Sequence, residues 1–314
     1  MRRIQKKHTT CGKRRSAGSC KGYAVLNQWG ERLNIIDTSG EWASAFDGDH
    51  FDLAKWEAYI DRNIPGAKEL CLDDMRECME AGFTWEKDFL PVLNAVQHSP
   101  EQRETAVRSF LDVTENLDRK ISERFGRNVD CDVILYLGLC NGAGWVTTLS
   151  GKTVVLLGIE KIMELNWQDT DAMTGLIIHE LGHVYQDQYG VLHRETGLTR
   201  DIFLWQLFTE GIAMVFEQEI VGDPDYFHQD TNGWKDWCDR HAGQIRESFR
   251  SDLETMKQEN QRYFGDWASF EGRGDTGYYL GARFVRFLLE TECFDCLISW
   301  NIDDVRDGFE RFTQ

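Results

Sequence analysis

The sequence predicts an α+β fold that is mostly helical, with a small β-sheet placed ahead of one central helix. Apolar residues recur at helical spacing through most of the chain. Runs of strand type are confined to a short segment at 33–37 and to the region 132–157, where turn residues separate them. Mostly helical sequence then continues to residue 312, so strands and helices occupy separate stretches, as in α+β proteins.

The part of the chain before residue 128 is predicted to be helical. After the extended segment, the apolar spacing places helices at 51–61, 67–80, 85–98 and 101–125. The last of these has Ser99 as its N-cap, Pro100 at its first position and Gln102 at the capping-box position, and Gly126 ends it.

Three strands are predicted next, at 132–137, 144–149 and 152–157, with Ser150-Gly151 as the hairpin turn between the last two. Helical sequence resumes at Glu160. The central helix is expected at about 172–188, with acidic residues near its start and Gly190 beyond its end.

The central helix contains His179-Glu180-Leu181-Gly182-His183, the H-E-x-x-H pattern. Four residues make about one helical turn, so both imidazoles project from the same face. That spacing suits two nitrogen ligands on one zinc ion. Glu180 borders such a metal and can take a proton from its bound water. Because the surrounding helix is apolar nearly all round, these polar groups are costly unless a metal satisfies them.

A third protein ligand is needed, and Glu210 is the candidate, in the middle of a mostly apolar helix at 201–220. A buried glutamate without a partner is disfavoured. The competing interpretation is an ion pair with Arg194 or Arg200. Glu217, two turns further on, is either the acceptor that orients a ligand histidine or a solvated carboxylate.

These residues resemble those of the gluzincin metallopeptidases, the clan of thermolysin and the aminopeptidase N family. The resemblance rests on His179-Glu180-x-x-His183 followed by Thr209-Glu210-Gly211-x-Ala213. In that clan the third zinc ligand is a glutamate on a second helix. The order and spacing also resemble an uncharacterised bacterial family of predicted zinc-dependent proteases. The resemblance implies a zincin-like fold.

A third match lies near the C-terminus. Tyr278-Tyr279-Leu280-Gly281-Ala282-Arg283-Phe284 resembles the Tyr-x-x-Gly-Ala-x-Phe stretch of the aminopeptidase N family, in which the tyrosine stabilises the tetrahedral oxyanion. By position the resemblance gives this role to Tyr278, with Tyr279 as the alternative. The specific motifs span 179–284, about a third of the chain.

The chain also departs from that family. Residues 184–209, 26 in number, separate His183 from Glu210, and the well-known gluzincins have a shorter gap, so a longer loop is expected around 189–199. The Gly-x-Met-Glu-Asn segment that holds a substrate amine in aminopeptidases is missing from the sequence. The segment Asn141-Gly142-Ala143-Gly144-Trp145 stands in the corresponding order, either as a substrate-binding edge strand or loop, or as a tight turn without function.

Composition favours a cytoplasmic globular protein. The 314 residues are 41% hydrophobic and 28% charged, and no run of 18 apolar residues predicts a membrane span. The basic N-terminus has no apolar stretch behind it to make a signal peptide. Nine scattered cysteines form no disulfide framework, so reduced thiols are expected. The pair Cys293 and Cys296 has C-x-x-C spacing, for which a redox or zinc-knuckle role is the alternative, but no second pair accompanies it.

Charge is uneven along the chain. Residues 1–22 hold eight of the 35 basic residues and no acid; the rest carries 27 − 53 = −26. We expect residues 1–22 to be a disordered basic tail, with contact to the acidic body, nucleic acid or a membrane surface as alternatives. The acidic body disfavours nucleic acid as a substrate. Residues 23–314 are expected to form one domain, with a helical part (23–128), the sheet and central helix (129–190), and a second helical part (191–314).

Together these features predict a zinc metallopeptidase that acts on a peptide or protein. One zinc per chain is held by His179, His183 and Glu210, Glu180 is the general base, and Tyr278 is the oxyanion donor. Two alternatives are open: an inactive relative that serves as a binding or regulatory protein, and a zinc hydrolase of a non-peptide amide.

Overall fold

A four-stranded mixed sheet forms the β part of the fold in the computed structural model, which describes residues 33–193, 198–265 and 267–314. Parallel pairs join the first, fourth and sixth strands, and the fifth strand runs antiparallel to the sixth, in the order β1-β4-β6-β5. A two-residue hairpin of β2 and β3 stands apart from this sheet. The strands are β1 (Asn34–Asp37), β2 (Phe46–Asp47), β3 (His50–Phe51), β4 (Asp132–Tyr136), β5 (Gly144–Leu149) and β6 (Lys152–Gly158).

The central strands β4 and β6 are buried almost throughout. Their continuous apolar sequences are typical of strands that are covered on both faces. β5 lies at the edge, where Gly144 pairs with Leu157 of β6. Ser150 and Gly151, between β5 and β6, both have positive φ, as a two-residue hairpin turn requires. This confirms the predicted hairpin.

Helices make up most of the described chain, which confirms the coarse prediction of a mostly helical α+β protein. A 3-10 helix (Ser39–Ala45) and a π-helical turn (Trp85–Phe89) accompany the α-helices. The α-helices are α1 (Leu53–Asn63), α2 (Ala67–Glu80), α3 (Leu90–His98), α4 (Pro100–Thr114), α5 (Leu117–Phe125), α6 (Ile159–Glu164), α7 (Thr170–Tyr189), α8 (Thr199–Val221), α9 (Trp234–Asp252), α10 (Thr276–Leu289), α11 (Phe294–Leu297) and α12 (Ile302–Phe312).

Residues 31–314 form one compact unit, and the basic segment 1–22 lies outside the described residues. Among the described helices, none has both the length and the apolar character that crossing a bilayer requires.

Two helix predictions were wrong at their boundaries. The expected helix at 101–125 is broken into α4 and α5, because Asn116 leaves helical geometry and starts α5. Ser99 precedes α4, but its side chain makes no capping hydrogen bond, so the capping box is absent there. The expected helix at 85–98 begins as a π-helical turn; Pro91 near the start of α3 lacks the N–H that a continuous α-helix needs.

α7, α8 and α10 pack together with their backbones unusually close. A Cβ on Gly182 of α7 would lie 2.9 Å from the Ala213 Cα of α8. A Cβ on Gly211 of α8 would lie 2.3 Å from the carbonyl oxygen of Gly281 in α10, and a Cβ on Gly281 would lie 2.6 Å from the carbonyl oxygen of Leu207. The glycines at these positions therefore allow the close spacing of all three helices.

We expect Gly281→Ala to lower the free energy of unfolding by about 1–3 kcal/mol, because a methyl group there must push α8 and α10 apart. Urea denaturation measures the change. Gly243→Ala in α9 is the matched control, since no atom lies within 4 Å of its Cβ position. That variant should be unchanged or more stable by about 0.5–1 kcal/mol. Equal effects at the two positions would contradict the close-packing argument.

Candidate metal centre

His179, His183 and Glu210 come together where α7 meets α8. The Nε2 atom of His179 lies 3.1 Å from Glu210 Oε2, and the Nε2 atom of His183 lies 3.2 Å from the same oxygen. The three potential ligand atoms are all within 4.8 Å of one another. The pairing of residues 31 positions apart follows from the crossing of α7 with α8 at Gly182.

The chemistry and spacing of these atoms fit a zinc ion. Two imidazole nitrogens and one carboxylate oxygen are a common donor set for zinc. Ligand atoms about 2.0–2.1 Å from a tetrahedral ion lie about 3.3 Å from each other. The separations of 3.1 and 3.2 Å between Glu210 and the two imidazoles match that value.

Glu217, one further residue of α8, lies on the side of the His179 ring that faces away from Glu210. Its Oε2 lies 3.6 Å from His179 Nδ1, the nitrogen that faces away from Glu210. The other neighbour of Glu217 is His228, whose Nδ1 lies 3.0 and 3.1 Å from the two carboxylate oxygens. Gly175, one turn before His179, leaves room for this pair, because a Cβ there would lie 2.3 Å from the His228 Cβ. Glu217 is fully buried, so the alternative of a solvated carboxylate is wrong.

The carboxylates and imidazoles of the site shift one another's protonation. Burial lowers the pKa of His179, but the neighbouring carboxylates of Glu210 and Glu217 outweigh it and raise that pKa to about 10. Burial also raises the carboxylate pKa values, yet His183 and His179 hold the pKa of Glu210 well below its ordinary range. His228 and His179 likewise keep the pKa of Glu217 low despite burial. Both carboxylates are therefore ionised, and their oxygens can accept hydrogen bonds.

The side chain of Glu180 extends from α7 and lies beside Gly144, the first residue of the edge strand β5. A Cβ on Gly144 would lie 2.7 Å from Glu180 Oε1. Burial raises the pKa of Glu180, and the imidazoles of His183 and His179 oppose that rise. The glycine at position 144 is thus what gives the Glu180 carboxylate its place beside the backbone of β5.

The two candidate tyrosines at the start of α10 have different surroundings. The Tyr278 ring lies with its centroid 5.7 Å from that of His179, in an edge-to-face arrangement, and Phe264 packs on it from another side. The Tyr279 hydroxyl instead donates to Asp239 at 2.7 Å. Tyr278 is therefore the tyrosine beside the metal-ligand candidates, and Tyr279 has a structural role.

The loop that leads into β5 is held by a buried carboxylate. Glu160, at the start of α6, accepts the backbone N–H of Gly138 at 2.9 Å and that of Cys140 at 3.0 Å. Burial raises the pKa of Glu160 to about 7. Asn141 adds a hydrogen bond from its amide to Asp74 at 2.8 Å. Buried side chains thus fix the path of the chain just before Gly144.

The structure excludes one of the two ion pairs that the sequence left open for Glu210. Arg200 pairs with Glu254 at 3.0 Å rather than with Glu210, and Arg194 lies outside the described residues. α7 ends at Tyr189 and α8 begins at Thr199; part of the segment between them, where a longer loop is expected, lies outside the described residues.

His228 and Glu160 were not predicted as parts of the site. His228 lies 11 residues after its partner Glu217, in a turn without a recognisable motif. For Glu160 a signal exists: it is a single acid within the apolar run from Val154 to Met163. A lone acid in such a run indicates a buried carboxylate that needs donors.

If His179 binds zinc, we expect Glu217→Gln to weaken zinc binding by roughly 10- to 100-fold, because the carboxylate beside His179 Nδ1 loses its charge. Competition with a fluorescent zinc chelator measures the affinity. Glu219→Gln, two residues on in α8, is the matched control, since Glu219 pairs with Arg124 and Arg286 instead. Equal affinities in the two variants would contradict the orienting role.

Glu160 should make folding stability depend on pH. Its folded pKa of about 7 lies above its ordinary value of 4.5, so the native state holds the proton more tightly than the unfolded state. The resulting stabilisation is complete below about pH 4.5 and is lost as pH rises through about 7. Relative to Glu160→Gln, the wild type should lose about 3 kcal/mol over that window.

Urea denaturation at several pH values measures this difference. Glu164→Gln, in the same helix but at an exposed position, is the control and should follow the wild-type curve. A constant difference between wild type and Glu160→Gln from pH 4.5 to 8 would contradict the assignment.

Comparison of the chain with protein-family models, with curated proteins and with solved structures finds no match.

Proposed function

We propose that this protein is a zinc-dependent metallopeptidase with one zinc per chain. The observation that carries the proposal is the convergence of His179, His183 and Glu210 beside the buried carboxylate of Glu180. Zinc held by these three residues would supply a Lewis acid and would lower the pKa of a water molecule to about 7. Three protein ligands are typical of catalytic zinc sites, and four of structural ones.

Glu180 is the general base of the proposed reaction. It follows the ligand His179 directly, and burial favours its taking up a proton. Glu180 accepts a proton from the attacking water and delivers it to the leaving amine. It has no need to bind the metal, because Glu210 is the carboxylate that lies within 3.2 Å of both ligand imidazoles.

Tyr278 is the proposed donor to the oxyanion. Its ring is placed beside His179 by Phe264 and by the start of α10. A hydroxyl directed at the developing negative charge contributes about 3 kcal/mol to transition-state stabilisation. The proposal therefore assigns catalytic roles to Glu180 and Tyr278, and a positioning role to Glu217.

The proposed substrate is a peptide in extended conformation. β5 is one of the two edge strands of the sheet, and it begins at Gly144, against Glu180. An edge strand offers backbone N–H and C=O groups to which an extended peptide can pair. A peptide aligned there would pass beside the Glu180 carboxylate. This arrangement agrees with the resemblance to gluzincins. The proposal therefore includes a zincin-like fold and a cytoplasmic location.

The test combines metal content with peptide cleavage. Elemental analysis should find one zinc per chain in the wild type, and strongly reduced zinc in His183→Ala and in Glu210→Ala. A library of quenched fluorescent peptides should be cleaved by the wild type. Glu180→Gln should keep its zinc but cleave about 100- to 10,000-fold more slowly, since it lacks the base. Glu219→Gln serves as the control variant, with zinc and cleavage both kept.

Other results would change the assignment. Absence of stoichiometric metal in protein expressed with added zinc would favour an inactive binding or regulatory protein. Zinc without cleavage of any peptide would point to hydrolysis of a non-peptide amide. Unchanged cleavage in a zinc-containing Glu180→Gln variant would overturn the role of Glu180.

A further inference from the structure

A cysteine pair lies at the surface near the end of α7, apart from the candidate metal centre. Cys293 and Cys296 flank the first turn of α11, with their Cα atoms 5.1 Å apart, and they pair as a disulfide. This separation lies within the range that disulfides adopt. The expectation that all cysteines are reduced is thus wrong for this pair.

Both cysteines are exposed to solvent, so a reagent can reach either sulfur. Cys71, Cys131 and Cys238 differ from them because they are buried. Burial raises the pKa of each of these three thiols to about 12, which leaves them almost wholly protonated at neutral pH. Cys78 and Cys140 are partly buried, so Cys293 and Cys296 are the exposed cysteines in the described part of the chain.

The four-residue ring closed by the pair contains a side chain that anchors it to the core. The Phe294 ring packs against Phe125 at 5.2 Å, against Tyr185 at 6.2 Å and against Phe216 at 6.4 Å between centroids. Tyr185 belongs to α7 and Phe216 to α8. The pair therefore sits directly over the two helices that meet at the candidate centre.

The segment just after the cysteine pair contacts the residues that follow the C-terminal end of α7. The carbonyl of Ile298 accepts the backbone N–H of Val191 at 2.8 Å. Gly190 packs against the same carbonyl, since a Cβ at Gly190 would lie 2.1 Å from the Ile298 oxygen. A change in the order of segment 293–298 should thus be felt at Gly190 and Val191.

We propose that Cys293 and Cys296 form a reversible thiol–disulfide site for a dithiol reductant, and that its closure holds segment 293–298 against the end of α7. In the exchange, one dithiol sulfur attacks the pair and forms a mixed disulfide. The second sulfur of the reductant then attacks the first one and displaces the protein thiol. The Cys293–Cys296 bond breaks, the two reductant sulfurs join, and two electrons and two protons pass to the protein sulfurs.

Opening of the ring restores rotational freedom to residues 293–296. We expect the Val191 amide to exchange hydrogen roughly tenfold faster in the reduced protein, because its acceptor Ile298 becomes less ordered. The thiol–disulfide exchange is independent of zinc, so this proposal and the proposed peptidase function can fail separately.

The experiment uses the full chain with Cys11→Ser and Cys20→Ser, which removes the two thiols before residue 33. Protein is equilibrated with oxidised or reduced dithiothreitol without denaturant, alkylated with iodoacetamide and mapped by mass spectrometry. The expected result is a Cys293–Cys296 disulfide in the oxidised sample and two alkylated cysteines in the reduced sample, while Cys71, Cys131 and Cys238 are unlabelled in both.

Hydrogen exchange of the peptide containing Val191 is measured in the same two samples and in Cys293→Ser. The variant should exchange at the reduced rate under both conditions. The proposal is overturned if oxidised dithiothreitol forms no Cys293–Cys296 bond, or if reduction needs denaturant. It is also overturned if Val191 exchanges equally in the oxidised and reduced wild type.

Discussion

The close crossing of three helices is the constraint on which the rest of the structure depends. α7 and α8 touch at Gly182 and Ala213, and α8 and α10 touch at Gly211 and Gly281. Each crossing leaves no space for a side chain between the backbones. The crossings bring the imidazoles of α7, the carboxylate Glu210 of α8 and the ring of Tyr278 in α10 to one place. The small residues within the three motifs therefore have a packing role that is separate from the chemistry of their neighbours, and both roles must be kept for the site to exist.

Two buried carboxylates of the site, Glu210 and Glu217, each lie between two imidazoles. Glu217 lies between His179 and His228 and is held by both. Glu210 lies between His179 and His183, on the other side of the His179 ring. Burying an unpaired carboxylate costs several kcal/mol, so this alternation is what allows acids inside apolar helices. It also fixes which nitrogen of His179 faces Glu210, and that choice is a condition for a ligand role.

Much of this arrangement follows from local sequence, and the remainder does not. The helical period and the strand and hairpin signals placed the four strands of the mixed sheet, α7 and α8 to within a few residues, but they did not predict β2 and β3. The helical period did not predict the breaks at Asn116 and before Pro91. At both places the apolar spacing stays helical, although tertiary packing breaks the helix at Asn116 and the missing N–H of Pro91 breaks it there. The H-E-x-x-H spacing predicted His179 and His183 because four residues of helix fix their geometry. His228 and the loop held by Glu160 depend on contacts between distant segments, which no spacing along the chain encodes.

The sheet and the helices are coupled at Gly144. The register of β5 against β6 is set by the hairpin turn at Ser150 and by the pairing of Gly144 with Leu157. A shift of one residue would put a side chain where the Glu180 carboxylate lies, since even a Cβ at Gly144 approaches it to 2.7 Å. The loop before β5 is fixed independently, by the two N–H groups that Glu160 accepts. Two separate restraints thus converge on the backbone next to Glu180. Under the proposed function, this restraint would hold an extended peptide paired with β5 in one register, with one peptide bond beside Glu180.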